Sequence, residues 1–181
     1  MQTKKLSTRE MCYIGIFTAV ISVCAQISIP QPGGVPFTLQ VWAISLAGLI
    51  LGPKNGTFAV LIYILLGAVG APVFAGLSGG FGVIMRPTGG FILSFPVVAL
   101  LAGLGERKGG FSWMILGLAS GSIFNLAVGL LWFSWVNELS LAVSFGYAVA
   151  PFLIVSVVRT AVLPMISNGI KSALMKAQVS I

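Results

Sequence analysis

The sequence predicts an all-α integral membrane protein: one bundle of six transmembrane helices. Three observations carry this prediction. Of 181 residues, 57% are hydrophobic and only 7% charged, against about 25% charged in a typical soluble domain. That is too little charge to coat a water-facing surface, so lipid is the solvent and a partner along the whole chain. The apolar residues also gather into six segments, approximately 10–29, 37–52, 56–71, 88–105, 111–135 and 143–170. Finally, the lysines and arginines fall at alternate ends of those segments. Nothing outside them is long enough to form a soluble domain, so residues 1–181 read as a single six-helix domain.

The first segment follows Lys4, Lys5 and Arg9. Its start is signal-like, but its apolar run is long and lacks a small-residue cleavage site, so it reads as a retained helix. Cys12 and Cys24 both lie within it, which argues against a disulfide framework or a zinc site and for packing roles. Gly15 and Ala19, with Val23 next, have the spacing that lets another helix approach closely. Internal packing and contact with a partner are both open.

The second and third segments are short against the roughly 20 residues that span a ~30 Å hydrocarbon core. Tilt, or burial among neighbours, accommodates them. Asn55-Gly-Thr57 between them matches a glycosylation sequon but falls on the side read as cytoplasmic. The stretch "GAPVFAGLSGGFGVIMRPTGG" (70–90) then interrupts the chain with seven glycines, two prolines and one arginine. It and "SIPQPGGVP" (28–36) suit turns and irregular backbone. Such backbone is tolerated at membrane depth where it lines a cavity, so a pair of loops over a pocket and a pair of solvent loops are the two readings. Thr88 is placed to cap the fourth helix, whose N-terminus would favour an anion.

Six spans put Lys4, Lys5, Arg9, Lys54, Arg107, Lys108, Lys171 and Lys176 on one side, which places both termini in the cytoplasm. Arg86 and Glu138 fall on the other side, and Arg159 lies within the last span. The net charge of +7 does not indicate nucleic acid, because the cations are scattered in ones and twos.

No enzyme constellation is visible, and no catalytic or metal-binding residue is assigned. Glu10, Glu106 and Glu138 are the only acidic residues and there is no histidine. Paired-carboxylate chemistry needs two such groups converging at one site. No GxSxG elbow occurs, nor a glycine-rich phosphate loop ending in Lys-Ser/Thr, so the chain has no means of hydrolysing ATP.

Polar residues in apolar surroundings are the candidates for ligand contact. Arg159, in "PFLIVSVVRTAVLP" (151–164), is the deepest charge, and such charges face a bundle interior or a cavity. Arg86 ends the glycine stretch. Two arginines without an acidic neighbour in sequence point to an anionic ligand, for which the planar guanidinium offers two parallel hydrogen bonds. Gln26, Gln40, Asn125 and Ser156 are polar too, and serve either helix–helix hydrogen bonds or a ligand. Trp42, Trp113, Trp132 and Trp135 read as interfacial or packing residues.

"VPFTLQ" (35–40), "LAGLILGPKNG" (46–56) and "LLGAVGAPVFAGLSGGFGVIMRPTGGF" (65–91) resemble the BioY family, the biotin-binding S components of energy-coupling factor transporters. The resemblance is strong over residues 35 to about 107 and rests elsewhere on length and topology. It implies capture of biotin from outside, without a cofactor. It also implies partnership with a transmembrane coupling protein and two cytosolic ATPases, and a glycine-rich loop that helps form and cover the pocket. Gly15 and Ala19 become candidates for contact with the coupling protein. The ligand-facing set carried over is Gln40, Ser78, Gly79, Arg86, Asn125, Ser156 and Arg159. The family's last helix commonly bears an aspartate and, three residues later, a lysine; here Ser156 and Arg159 stand there, so the basic role survives and the acceptor role passes elsewhere. Arg86, nearer the aqueous mouth, is assigned the biotin carboxylate and Arg159 the deeper polar contacts, with the reverse as the alternative. Riboflavin, thiamine and a plain membrane scaffold are the rival readings.

Overall fold

The computed structural model describes residues 6–177; Lys4 and Lys5 of the predicted charge pattern lie outside them. Helix α1 (Thr8–Gln26) opens on a reciprocal capping box. Ser7 Oγ accepts from the Glu10 amide at 3.2 Å while Glu10 Oε2 accepts from the Ser7 amide at 2.8 Å, which satisfies two of the donors a helix start leaves unpaired. The helix ends short of residue 29, because Ser28–Ile29 (β1) pairs antiparallel with Phe37–Thr38 (β2). This two-rung hairpin is the one departure from an all-helical fold among the described residues.

Next comes α2 (Gln40–Ala68), 29 residues that fold back on themselves. Gly52 has φ 78° and ψ 177°, a conformation that essentially only glycine holds, and Pro53 follows it. Proline disfavours a helical residue before it and starts a new helix well. The proof of reversal is a hydrogen bond: Gln40 Nε2 donates to Tyr63 Oη at 2.8 Å, although in a straight helix they would stand about 35 Å apart. The halves, 40–51 and 53–68, therefore run antiparallel. A Cβ on Gly56 would sit 2.7 Å from the Ala47 carbonyl oxygen, so their packing depends on glycine at that place.

After the loop and the short α3 (Phe81–Ile84), α4 (Gly89–Lys108) runs through the middle of the bundle, packed on α2 and α5 (Phe111–Asn137). Its Ile92, Phe95, Val98, Ala99 and Ala102 enter the core. The predicted final segment is divided into α6 (Leu141–Ala148) and α7 (Ala150–Lys176). A helix running on through Pro151 would lose that residue's amide and set its ring against the carbonyl of residue 147. The chain breaks at Val149 instead (φ −125°, ψ −53°).

Among the described residues, five helical stretches are long and apolar enough to cross a membrane by length and composition: α1, α2 taken with both its halves, α4, α5 and α7. Their outward faces are apolar, with Leu65, Ile123, Leu131, Ile154 and Val157 all exposed. In water such a surface would drive association; in lipid it is the expected exterior of a multi-pass membrane protein. Among the described residues the expected six separate segments appear as seven helices, with segments two and three joined across Gly52, segment six split at Val149 and the short α3 added.

Candidate ligand-binding site

A cavity of about 320 Å³ opens where the β1–β2 hairpin, the 69–88 loop and helices α2, α4, α5 and α7 meet. Its size lies at the lower end of small-molecule sites. The wall is largely aromatic and aliphatic: Phe37, Trp42, Phe91, Phe95 and Phe152 contribute rings. Phe152 bridges two elements, its ring 4.5 Å from that of Phe37 and 6.4 Å from that of Phe91. Along α7, Phe152, Val155, Ser156 and Arg159 all face inward, the i, i+3, i+4, i+7 spacing of one helical face.

Four polar side chains give this apolar chamber its chemistry. The Asn125 amide donates to the Phe91 carbonyl at 3.1 Å and to Ser94 Oγ at 2.6 Å. Ser94 Oγ in turn donates to the Phe91 carbonyl at 2.8 Å. Gln40 donates to Tyr63 Oη, which donates in turn to the Val73 carbonyl at 3.2 Å. Asn125 commits its amide nitrogen twice and Gln40 once, and no protein donor engages either carbonyl oxygen among the described residues. Arg159 is only 5% exposed. Its Nη2 donates to Ser122 Oγ at 2.5 Å, while Nε has no hydrogen-bond partner. Ser156 completes this end of the wall. Two side-chain amides and one guanidinium therefore stand around an otherwise apolar space.

The mouth is built differently. Arg86 is exposed there, its backbone carbonyl accepting from Trp132 Nε1 at 3.0 Å. Thr88 occupies the N-cap position of α4 with helical backbone (φ −82°, ψ −7°) and no side-chain capping bond, so the expected cap does not form. The loop itself is tightly tied rather than loose. Phe74, 1% exposed, packs edge-on to Tyr63 and against Gly67, and pairs with Ser78 through two backbone hydrogen bonds. Gln26, at the end of α1, donates to the Val73 and Phe74 carbonyls and accepts from the Leu77 amide. The loop lines the cavity with Phe74, Ala75, Ser78, Val83, Arg86, Pro87 and Thr88.

Of the residues singled out from sequence, Gln40, Ser78, Arg86, Asn125, Ser156 and Arg159 meet in this cavity, and Gly79 does not line it. Gly79 instead lies against the Ala71 and Gly70 backbone, where a side chain would not fit. The aromatic wall was not singled out, although Phe152 beside Pro151 and the 91/95 pair on one face of α4 are a readable signal. Trp42 and Trp132, read as interfacial or packing residues, serve the cavity wall and the Arg86 segment. On α1, Gly15, Ala19 and Val23 are exposed, and a Cβ on Gly15 would meet nothing within 4 Å, so internal packing does not account for them.

A second, open depression lies around the Gly52 turn, with Arg9, Glu10, Asn55, Glu106 and Lys171 among its lining. Its charges are mutually engaged: Lys171 is ion-paired with Glu106, and Asn55 Nδ2 donates to Glu10 at 3.4 Å.

Residues 1–176 match the family model of the BioY family. The chain is 39% identical to a probable biotin transporter of Pyrococcus horikoshii, over 92% of this chain and 98% of that one. It is 43% identical to the biotin transporter BioY of Thermotoga maritima, over 90% of this chain and 96% of that one. In three dimensions it superposes with a TM-score of 0.82 on the crystal structure of the S-component for biotin from an ECF-type ABC transporter. That likeness has 27% identity and covers 93% of this chain and 95% of the other. A match along almost the whole chain, in sequence and in fold, establishes that this protein belongs to the BioY family.

Proposed function

We propose that the chain is the substrate-capturing S component of an energy-coupling factor transporter and that its ligand is biotin. The observation that carries this is the pattern of the cavity's polar groups. Gln40 and Asn125 turn their amide nitrogens to the protein and keep their carbonyl oxygens unengaged by it, and the Arg159 guanidinium, anchored on Ser122, lies in the same wall. A cyclic urea has two N–H donors and one carbonyl acceptor, the complement of that set. The fused ring of biotin suits the aromatic wall, and its flexible acid chain reaches the mouth, where Arg86 supplies the cation. Names of full-length relatives, biotin transporters in both archaeal and bacterial examples, support the same reading.

The remaining parts follow from this. The halves of α2 form a helical hairpin, so the bundle crosses the membrane six times, with both termini in the cytoplasm and the cavity facing outward. The crossings are short, about 18 and 24 Å at the standard helical rise, which central packing and tilt accommodate. A transmembrane coupling protein docks on the exposed Gly15–Ala19 stripe, and two cytosolic ATPases supply the energy. The protein acts by binding rather than by catalysis.

Calorimetry with biotin, riboflavin and thiamine in parallel tests the assignment. Biotin alone is expected to bind stoichiometrically. Preference for either other vitamin, or no binding of any, overturns it; the last outcome favours a membrane scaffold whose arginines pair with lipid phosphate. Thiamine carries a positive charge, and a site with two arginines and no acidic lining residue opposes it.

A further inference from the structure

We infer that Gln26 is a positioning residue for ligand retention: it latches the loop wall of the cavity to the end of α1 and thereby sets how fast a bound molecule escapes. The inference rests on the reading of the cavity as the biotin site. Gln26 uses both halves of its amide. Nε2 donates to the carbonyls of Ser22, Val73 and Phe74 at 3.0, 3.2 and 3.1 Å, and Oε1 accepts from the Leu77 amide at 2.8 Å. The segment so held is the tight turn closed by Phe74 and Ser78, both of which line the cavity.

The turn needs the help. Leu77 has φ 52°, the left-handed region that a leucine adopts only under constraint. At 70% exposure, its side chain does not hold it there by packing. The other anchors act at the ends of the segment, where Tyr63 bonds the Val73 carbonyl, Phe74 is buried and the Gly80 amide bonds the Gly67 carbonyl. Between those ends, the Leu77 amide donates to Gln26 Oε1, a side-chain tie from a neighbouring helix. Ser78 is tied to Phe74 by two backbone hydrogen bonds and donates its hydroxyl to the Ala75 carbonyl, so Gln26 fixes the turn as a unit, with these two cavity residues, to the end of α1.

The test uses the full chain in lipid nanodiscs, loaded with labelled biotin and chased with excess unlabelled biotin, alongside amide hydrogen exchange. With Gln26→Leu, the dissociation rate is expected to rise about tenfold for the lost hydrogen bonds, with association changed by less than about threefold. Faster exchange should be confined to residues 73–78. Adding Leu77→Gly should slow dissociation again, because glycine holds a positive φ without a clamp. A dissociation rate within about twofold of the parent, or exchange that quickens equally through the bundle, overturns the latch. Should Gln26→Leu not fold, Gln26→Glu carries the test, since it keeps the acceptor and sets a carboxylate against three carbonyls. Faster release supports the latch and an unchanged rate overturns it. If the parent chain binds no biotin, the functional reading fails, while exchange at 73–78 in the variants still decides the latch.

Discussion

At Arg159 a guanidinium lies 5% exposed, with one nitrogen on Ser122 Oγ and Nε unpartnered. Removing a cation from water without an anion costs several kcal/mol, so Arg159 weighs against the stability of the fold. Two predictions follow at this scale. Arg159→Met should raise the melting temperature of the ligand-free protein, by a few degrees if about 1 kcal/mol is recovered, while biotin binding is lost. A fall in melting temperature would mean that the guanidinium is satisfied in the empty protein. The second separates the two arginines. A charge-assisted hydrogen bond contributes ~1.5–3 kcal/mol, or roughly 10- to 150-fold in affinity. Arg86→Gln should weaken biotin by that factor and biotin amide far less, whereas Arg159→Gln should weaken both. The opposite pattern would place the carboxylate at Arg159, with the acid chain pointing inward.

Among the elements, the loop and the α2 hairpin decide whether the cavity exists. Phe74 is the loop's apolar anchor against Tyr63 and Gly67. Phe74→Ala is expected to cost ~3–5 kcal/mol where the ring is fully buried and to loosen the wall that Ala75 and Ser78 form. Thermal unfolding with and without biotin checks this, and a change below about 1 kcal/mol would show that the ring is not the anchor. The glycine stretch reads in sequence as a mobile cover over the ligand. In the fold its glycines make turns and close contacts, as Gly80 does at φ 97°, while bulkier neighbours face the cavity. Sequence shows that irregular backbone is needed there. It does not show that Gln26, some fifty residues earlier, stitches that backbone in place, because such a contact has no local pattern. The breaks in the helices were legible in part: Gly52-Pro53 marks one turn, while the split at Val149 depends on how Pro151 meets the bundle.

For the whole molecule, topology and energy supply are the properties to test. With Cys12 and Cys24 replaced by alanine, a cysteine at Leu77 should react with an impermeant thiol reagent added to intact cells, and one at Lys108 should not. Labelling of both, or of Lys108→Cys alone, would overturn the six-crossing arrangement. Biotin binding should persist in detergent without ATP. Vesicles holding this chain alone should not accumulate biotin above the outside concentration, since the sequence contains no phosphate-binding loop. Accumulation would mean that the chain drives transport unaided.

Composition and pattern by themselves determined that this is an all-helical membrane protein with polar exceptions worth explaining. The reason is that a bilayer admits few structures, and a charge within an apolar run is costly wherever it ends up. The motifs at 35–40, 46–56 and 65–91 determined the family. Only the tertiary structure decided which polar atoms are left over. Which end of the Gln40 and Asn125 amides is left over, and which Arg159 nitrogen is anchored, depends on Tyr63, Ser94 and Ser122, each supplied by a different helix or a distant turn. Hydrogen-bond complementarity is a property of the assembled site, so it exists only once the chain has folded.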